Sequence, residues 1–411
     1  MKGDEASLTG CFKMTVNAEP KLVNLIRRYT WALQYVIDKV FDNIDEFGEW
    51  KYYKRTGKVK WQPIISRFHG AFYETLRKYF NLPSAIAQCC IREAMSITKS
   101  WMNKEDDEIH SLPKLKSYRM RVNNQNWHFL TEKGKVVELF IGGYGYIKVL
   151  DFPRELVKRW KDNGEYREII LKYKDGKVIC FVSVMKKIKK VNPSPNAVAL
   201  DLNFSEIVLG NYEFEYRIKT RMNRIMNIKK NYIEKTQKRY SKSWRFIPGV
   251  RRAISRWWNR VHNLNDDFVK RISLYIVKTV KDLGYDTIVL EDLNKLRDKQ
   301  AKLTKPWRER FTFFSYRKLQ RWIEWQGLKH GVAVVYVDPR DTSKICPYCS
   351  SKLKDVEYRK LRCDKCNTEF DRDTAAIINL LNRYLNKFRK RMRGVEVLPD
   401  RGGWRCSPKN R

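Results

Sequence analysis

The chain contains no run of 18 or more apolar residues, so no membrane-spanning helix is expected. Its first residues, Met1 to Leu8, include Asp4 and Glu5 and lack an apolar stretch, so they do not read as a secretory signal. Cysteine is sparse: nine in 411 residues are too few for a disulfide scaffold, and four of them fall into pairs. That usage fits a reducing compartment and a metal. The histidines His69, His110, His128, His262 and His330 are scattered and form no Cys/His or His/Asp motif. All five read as structural or surface residues. A phosphate-cradling loop is missing too. Gly142 to Tyr146 (GGYGY) lacks the Lys-Ser/Thr ending and sits in strand-like surroundings, so ATP use is not supported.

Acids are scarce. Against 85 Lys+Arg stand 46 Asp+Glu, a formal charge of +39. Self-repulsion of that size disfavours compaction unless counter-charge is supplied, and nucleic acid is the polyanion that supplies it. With 43% hydrophobic and 13% aromatic residues the chain can still bury real cores. At ~100–200 residues per domain its length suits roughly two to four domains. The expectation is a soluble intracellular protein with a polyanionic partner and no membrane partner.

Leu8 to Val16 reads as a strand. Glu19 to about Trp101 reads as helical, with Leu22, Leu25, Ile26, Tyr29, Trp31, Leu33, Val36, Ile37 and Val40 spaced mostly by three or four. A second helix is expected from Ser84, as its N-cap, to Trp101. From Trp127 to Lys186 the pattern is that of strands, with Asp175-Gly176 as a hairpin turn. Val191 to Asn196 (VNPSPN) marks the main boundary. Beyond it, AVALDL and EIVLG read as a strand and its hairpin partner. A helical region is expected from Ile218 to Leu283, broken near Pro248-Gly249. A strand over Thr287–Leu290, a helix over Phe314–His330 and a strand over Val332–Val337 follow. Two CxxC pairs come next, then a helix from about Thr374. Lys219 to Arg260 holds 14 Lys/Arg and one acid, Glu234, interleaved with Tyr232, Tyr240, Trp244, Trp257 and Trp258. Aromatics in such a run can stack on unpaired bases or pack on their own domain.

The most specific local signal is the cysteine quartet. Cys346-x2-Cys349 and Cys363-x2-Cys366 are separated by the 13 residues Ser350 to Arg362. Two such knuckles complete a tetrahedral all-sulfur shell for zinc, and a closed four-cysteine shell is structural, not catalytic. Cys11, Cys89, Cys90, Cys180 and Cys406 read as packing or surface residues. Three acids also stand out. Asp201 ends Ala197–Leu200, Glu291 ends Ile288–Leu290, and Asp373 opens Ala375–Leu381. Taken singly, each is most simply a strand or helix cap. Gathered by neighbouring strands, they would repel one another unless divalent metal lay between them. Hard oxygen ligands select Mg2+ or Mn2+, whose paired ions serve phosphodiester cleavage.

AVALDLNFSEIVLG, NLNDDFVKRIS, IVLEDLNKL, FFSYRKLQRWIEWQGLKHG, VDPRDTSKICPYC and LRCDKCNTEFDRDTAAIINLL occur in that order. Over Ala197 to Leu381 the chain resembles the split RuvC nuclease and zinc ribbon of TnpB proteins, transposon-associated relatives of the type V CRISPR nucleases. The resemblance implies an α+β multidomain protein. Its RNase H-like (RuvC) mixed α/β domain carries inserted helices and the ribbon, and an N-terminal β-barrel carries a helical insertion. The implied divisions are a barrel over 1–18 and 106–190, a helical recognition insert over 19–105, and RuvC parts I and II over 191–340 with basic helices at 218–283. The ribbon covers 341–370, RuvC part III 371–385, and a basic tail without fixed structure 386–411.

By that resemblance Asp201, Glu291 and Asp373 are the catalytic, magnesium-binding acids, Asp373 being preferred to Asp371. Cys346, Cys349, Cys363 and Cys366 hold structural zinc. The implied activity is RNA-guided endonuclease action on double-stranded target DNA. The protein would be one monomer per transposon-derived guide RNA, in a prokaryotic cytoplasm and on the nucleoid when bound to DNA. Three departures from the family pattern are Asn203 for a usual Gly, Ala375 for a frequent Asn and Lys270 for a frequent His. Asn203 is expected to tolerate a left-handed backbone. Alternatives are a nuclease-impaired guided DNA-binding protein or repressor and a captured type V CRISPR-like effector. A strict transposase ranks last, since no His-hydrophobe-His plus Tyr arrangement is present.

Overall fold

The computed structural model describes residues 5–54, 57–104, 111–132, 135–153, 164–293 and 316–392. Two compact units divide the chain, one from Ser7 to Lys187 and one from Ile188 onward that also takes in Glu5 and Ala6.

In the first unit, strand β1 (Glu5–Val16) leads into helix α1 (Pro20–Asp42). Pro20 lies in the first helical turn, where its missing N–H goes unnoticed. The buried stripe is the one the spacing predicts, except that Trp31 is half exposed. After the short α2 (Ile44–Phe47) the expected helical region is interrupted by a hairpin, β2 (Gly48–Tyr53) and β3 (Lys58–Pro63). The period of two in WKYYK and KVKW is the strand signal that its helical surroundings hide. Helices α3 (Ile65–Lys78) and α4 (Ser84–Met102) follow. Ser84 is the first residue of α4 and does not cap it; its hydroxyl bonds Tyr73 at 2.8 Å instead.

Strands β4 (Tyr118–Val122), β5 (Trp127–Glu132), β6 (Lys135–Ile141), β7 (Gly145–Asp151), β8 (Gly164–Lys174) and β9 (Lys177–Lys189) join β1 in one seven-stranded sheet, ordered β4-β8-β9-β1-β7-β6-β5. The β8–β9 turn is the expected one, with φ of 50° at Asp175 and 76° at Gly176. β5 and β8 lie toward opposite ends of the sheet. Even so, the Trp127 indole of β5 donates to Arg167 O of β8 at 2.9 Å, and Trp127, Phe129 and Tyr166 pack edge to face. The sheet therefore curls into a near-barrel closed by side chains, in the place where the resemblance implies a barrel. Buried Glu93 of α4 accepts from the Tyr29 hydroxyl of α1 at 2.7 Å and pairs with Arg119 of β4 at 2.5 Å. Removing one partner of such a buried charge costs roughly 3–5 kcal/mol, so this trio ties the helices to the sheet.

The second unit is built on β10 (Ala197–Leu202), β11 (Glu206–Gly210), β12 (Glu215–Lys219), β13 (Thr287–Glu291) and β14 (Ala333–Val337), ordered β12-β11-β10-β13-β14. β10, β13 and β14 run parallel, and β11 runs antiparallel to both of its neighbours. The stretch expected to be helical from Ile218 thus begins as strand β12. It continues as α5 (Met222–Ile228), a π-turn over Lys229–Glu234, α6 (Lys235–Arg239), a 3-10 turn over Ser241–Arg245 and the long α7 (Pro248–Asp282). Pro248 opens α7, which is the break the sequence shows.

Helix α8 (Tyr316–His330) precedes β14; the start of the predicted helix, Phe314 and Ser315, lies outside the described residues. A three-stranded antiparallel ribbon, β15 (Lys354–Glu357), β16 (Lys360–Cys363) and β17 (Thr368–Asp371), leads into α9 (Arg372–Met392). The helix runs beyond residue 386, where the tail was expected to begin, because Tyr384, Leu385 and Phe388 still pack on the sheet. Residues 393–411, Cys406 among them, lie outside the described residues.

Side-chain alternation explains why β10 and β13 are continuously apolar. Val198, Leu200, Ile288 and Leu290 face one core, which includes residues of α7 and α8, while Ala197, Ala199 and Val289 face α9. Strands covered on both faces have no polar side to show.

Candidate active site and cysteine cluster

Parity along the strands places the acids. Asp201 follows Ala197 and Ala199 on the α9 side of β10, and Glu291 follows Val289 on the same side of β13. The two strands are parallel with Leu200 beside Leu290, so Asp201 and Glu291 are the next step of both ladders. Asp373 stands in the first turn of α9, the helix packed over that face, and is almost fully buried. The sheet register and α9 thus bring all three acids to one end of one face.

Their electrostatics reflect crowding in low dielectric. Burial raises the Asp201 pKa, opposed by a 2.8 Å hydrogen bond from Asn203 Nδ2 and by the charges of Arg372 and Arg359. Burial first, and then the neighbouring Asp201, push Glu291 up to about 8, with Arg383 opposing. Gln320 of α8 donates to Glu291 O at 2.7 Å and fixes the strand end. Asp373 is ion-paired with Arg359, which projects from the β15–β16 turn, and its Oδ2 lies 3.9 Å from Arg217. The carboxylates share a face without converging as tightly as the four cysteines; the positive charge beside them is arginine.

Asp371 has a different position. Its Oδ1 accepts from the backbone amides of Asp373 at 2.9 Å and Thr374 at 3.5 Å, capping α9. Arg217 of β12 binds that same oxygen at 2.9 Å, Glu206 at 3.1 Å, and Glu215 as well. Nothing in the sequence pattern marked Arg217 or Arg359, because both act through contacts distant in the chain. Asn203 differs from expectation too. It is not among the positive-φ residues, and its amide serves Asp201 instead of a left-handed turn. Ala375 is fully buried among Leu353, Leu361, Phe370, Cys346 and Cys363, where it packs the ribbon on α9. Lys270 lies over the Trp322 ring at 5.3 Å.

Cys346, Cys349, Cys363 and Cys366 present sulfurs all within 4.8 Å of one another, so this cluster can hold a metal ion. A tetrahedron with metal–sulfur bonds of ~2.3 Å has edges of about 3.8 Å. The Cys349–Cys363 and Cys346–Cys366 separations are 3.5 and 3.9 Å, so the fit is good. Hydrogen bonds from Ser351 hold the Cys349 thiol down, to about 6. Asn379 of α9 donates to Thr342 O and Ile345 O at 2.7 and 2.8 Å, locking the first knuckle to the helix. Cys11 is exposed, and Cys89, Cys90 and Cys180 are buried.

In the basic stretch every Lys and Arg from Lys219 to Arg260 is exposed except Lys229, which pairs with Glu234 at 3.0 Å. Three of its aromatics take the packing alternative, while Tyr232 stays half exposed. Trp244, Trp257 and Trp258 pack on the core below them, and Tyr232 stacks on Trp257 at 4.0 Å. Among the histidines, His69, His128 and His262 stack on Tyr73, Phe140 and Trp258; His110 lies outside the described residues.

The fold and site define a two-unit α/β protein with acids at two strand ends, Asp201 buried and Glu291 partly buried, and a four-cysteine ribbon. Residues 316–380 match the family described as Cas12f1-like, TNB domain. TnpB-like protein MJ0751 of Methanocaldococcus jannaschii is 29% identical over 242 residues, 57% of this chain and 84% of the relative. TnpB-like protein MJ1635 of the same organism is 24% identical over 379 residues, 91% and 74% respectively. The CRISPR-associated endodeoxyribonuclease Cas12f1 of Sulfoacidibacillus thermotolerans is 27% identical over 131 residues, 31% of this chain and 29% of that protein. Over most of its length the chain is similar to these TnpB-like proteins. Its fold is similar to Cas12f1 in a complex with sgRNA and target DNA (TM-score 0.56, 15% identity, 89% of this chain and 84% of that one). It is also similar to the mini-RNA-guided endonuclease CRISPR-Cas_phi3 (TM-score 0.52, 10% identity, 92% of each chain). No helix among the described residues is long and apolar enough to cross a membrane.

Proposed function

We propose that the chain is an RNA-guided DNA endonuclease of a transposon. In this reading the second unit is an RNase H-like (RuvC) nuclease domain with Asp201, Glu291 and Asp373 as its catalytic acids. The observation that carries it is that strand parity and register put Asp201 and Glu291 side by side, on the face covered by the helix that bears Asp373. The strand order, with the first strand central and the second antiparallel, supports it. So do the guided nucleases among the relatives and structural neighbours.

The donor set suits Mg2+ or Mn2+: three hard carboxylates, two of which resist ionisation without a positive neighbour. Divalent ions held there would activate water and stabilise the leaving oxygen of a phosphodiester. Asn203 orients Asp201, Gln320 fixes the end of β13, and Asp371 caps the helix that carries Asp373. Arg359 balances the charge of Asp373. Zinc in the cysteine cluster would fold the ribbon that carries Arg359. The exposed basic face from Lys219 to Arg260 would neutralise phosphates of a guide–target duplex, which is gripped by backbone and not read by sequence.

The test starts by sequencing the RNA that co-purifies with the chain. A plasmid library carrying the complement of that RNA beside randomised flanks is then challenged in Mg2+. The wild type is expected to cut a subset defined by one flanking motif, and Asp201→Ala, Glu291→Gln and Asp373→Asn are expected to reduce cutting to background. Unchanged cutting by Asp201→Ala would defeat that residue's assignment. Tight guide-dependent binding without a cut would point to a decayed nuclease, and random RNA fragments would defeat guidance.

A further inference from the structure

We propose that the β2–β3 hairpin is a platform on which unpaired RNA bases stack. Cross-strand pairing sorts its side chains into two faces. Trp50 lies opposite Trp61 and Tyr52 opposite Val59 on one face, while Lys51 lies opposite Lys60 on the other. Trp50, Tyr52 and Val59 are 56%, 63% and 56% exposed, whereas Trp61 at the base is 1% exposed.

That base is rigid. A Cβ at Gly48 would fall 2.0 Å from the Trp61 ring, so only glycine lets the indole lie across the strand. Asn103, at the end of α4, accepts from Trp61 N at 2.9 Å and donates to Trp61 O at 3.0 Å, imitating a neighbouring strand. The exposed rings are therefore held out on a fixed stem.

Charge selects the occupant. The described residues of the hairpin include Lys51, Lys54, Lys58 and Lys60 against the single acid Glu49. Like charges directly opposite in a ladder destabilise it. Glu49, 2.7 Å from Lys51, supplies one negative charge to the Lys51–Lys60 pair. A polyanion would supply the rest. Protein interfaces are depleted in lysine, whereas single-strand sites combine a basic track with aromatic faces. The choice of RNA over DNA rests on the proposed function. There a guide stays bound as resident counter-charge, while separated DNA strands are transient.

The probes are oligouridylate, oligothymidylate and an RNA duplex, bound to the full chain at a salt concentration high enough to suppress non-specific contacts. Replacing both Trp50 and Tyr52 by Ala should weaken oligouridylate binding roughly tenfold or more, since stacking is worth ~1–3 kcal/mol per base. The Phe pair should retain it. The salt slope should be unchanged by Ala but reduced by about 0.7 for each of Lys51→Gln and Lys60→Gln. Circular dichroism and the melting curve of each variant should match the wild type.

Unchanged oligouridylate affinity, equal loss for DNA, or loss only of self-association would overturn the assignment. The two proposals fail separately. Guided cutting by the wild type together with unchanged affinity in the Ala variant sinks the platform alone. Absence of cutting together with the expected affinity loss sinks the nuclease alone.

Discussion

Arg217 Nη2 lies 2.9 Å from Asp371 Oδ1, the oxygen that also accepts the Asp373 backbone amide. An edge strand thus steadies the first turn of the helix that carries the third acid. Because Arg217 also meets Glu206 and Glu215, its loss would leave three carboxylates facing one another. Arg217→Met is expected to destabilise the protein by about 1–2 kcal/mol, allowing for partial solvent screening. Guided cutting should fall at least several-fold in the same variant. Arg217→Lys should lie between, since an ammonium cannot reproduce the fork. Urea denaturation and cleavage rates measure the two effects.

Asn203 gives a test of backbone against side chain. If a left-handed conformation mattered, Asn203→Gly would be harmless. Because the amide holds Asp201 at 2.8 Å, Asn203→Gly and Asn203→Ala should both slow cutting roughly tenfold or more. A lost hydrogen bond to a charged group is worth about 1.5–3 kcal/mol. Cleavage rates that separate the two variants strongly would contradict the side-chain role.

Glu291 makes stability depend on pH. Its folded pKa is raised from 4.5 to about 8, so the folded chain keeps a proton that the unfolded chain releases. Stability from this group is fully present below the unfolded value and is lost as pH rises toward about 8. In magnesium-free buffer Glu291→Gln should melt a few degrees higher than wild type at pH above 8, with little difference near pH 4. Thermal melts across that range check the sign.

The ribbon should answer to its metal. Cys363→Ser is expected to lower bound zinc and unfold the ribbon together. Cutting should fall as well, because Arg359 O accepts from Arg372 N at 2.8 Å where α9 begins. Metal analysis, near-ultraviolet dichroism and cleavage on one preparation would show the three losses together. Full activity without zinc would contradict the structural role.

Trp257 separates packing from base contact. It lies against the core and under Tyr232, so Trp257→Ala should cost about 2–4 kcal/mol in stability. RNA affinity per folded molecule should be nearly unchanged. Arg252→Glu and Arg256→Glu should do the reverse, lowering the salt slope with little effect on melting.

The parts of the fold legible in the sequence were those whose signals are local. AVALDL and TIVL announced doubly covered strands, Asp175-Gly176 announced a turn, and the cysteine spacing announced two knuckles. The β2–β3 hairpin was missed because its short alternation lies among strong helical periods. Strand β12 was missed because its residues, Glu215, Tyr216 and Arg217, are polar and exposed along an edge. The strand-end acids could be named from their positions, but their neighbours could not. Arg217, Arg359 and Gln320 reach the site only through folding, and no spacing rule ties them to it. The tryptophans of the basic stretch carried an ambiguous signal, since the same rings suit a base or a core.

The third acid lies beyond the ribbon, near the end of the described chain, while the strands that hold its partners are made much earlier. A ribosome releasing this protein residue by residue would therefore expose the basic surface first. The proposed cutting centre would be complete only after the cysteine module had emerged and α9 had docked. The same ordering means that a transcript broken before the ribbon would yield a fragment able to cling to nucleic acid yet unable to sever it.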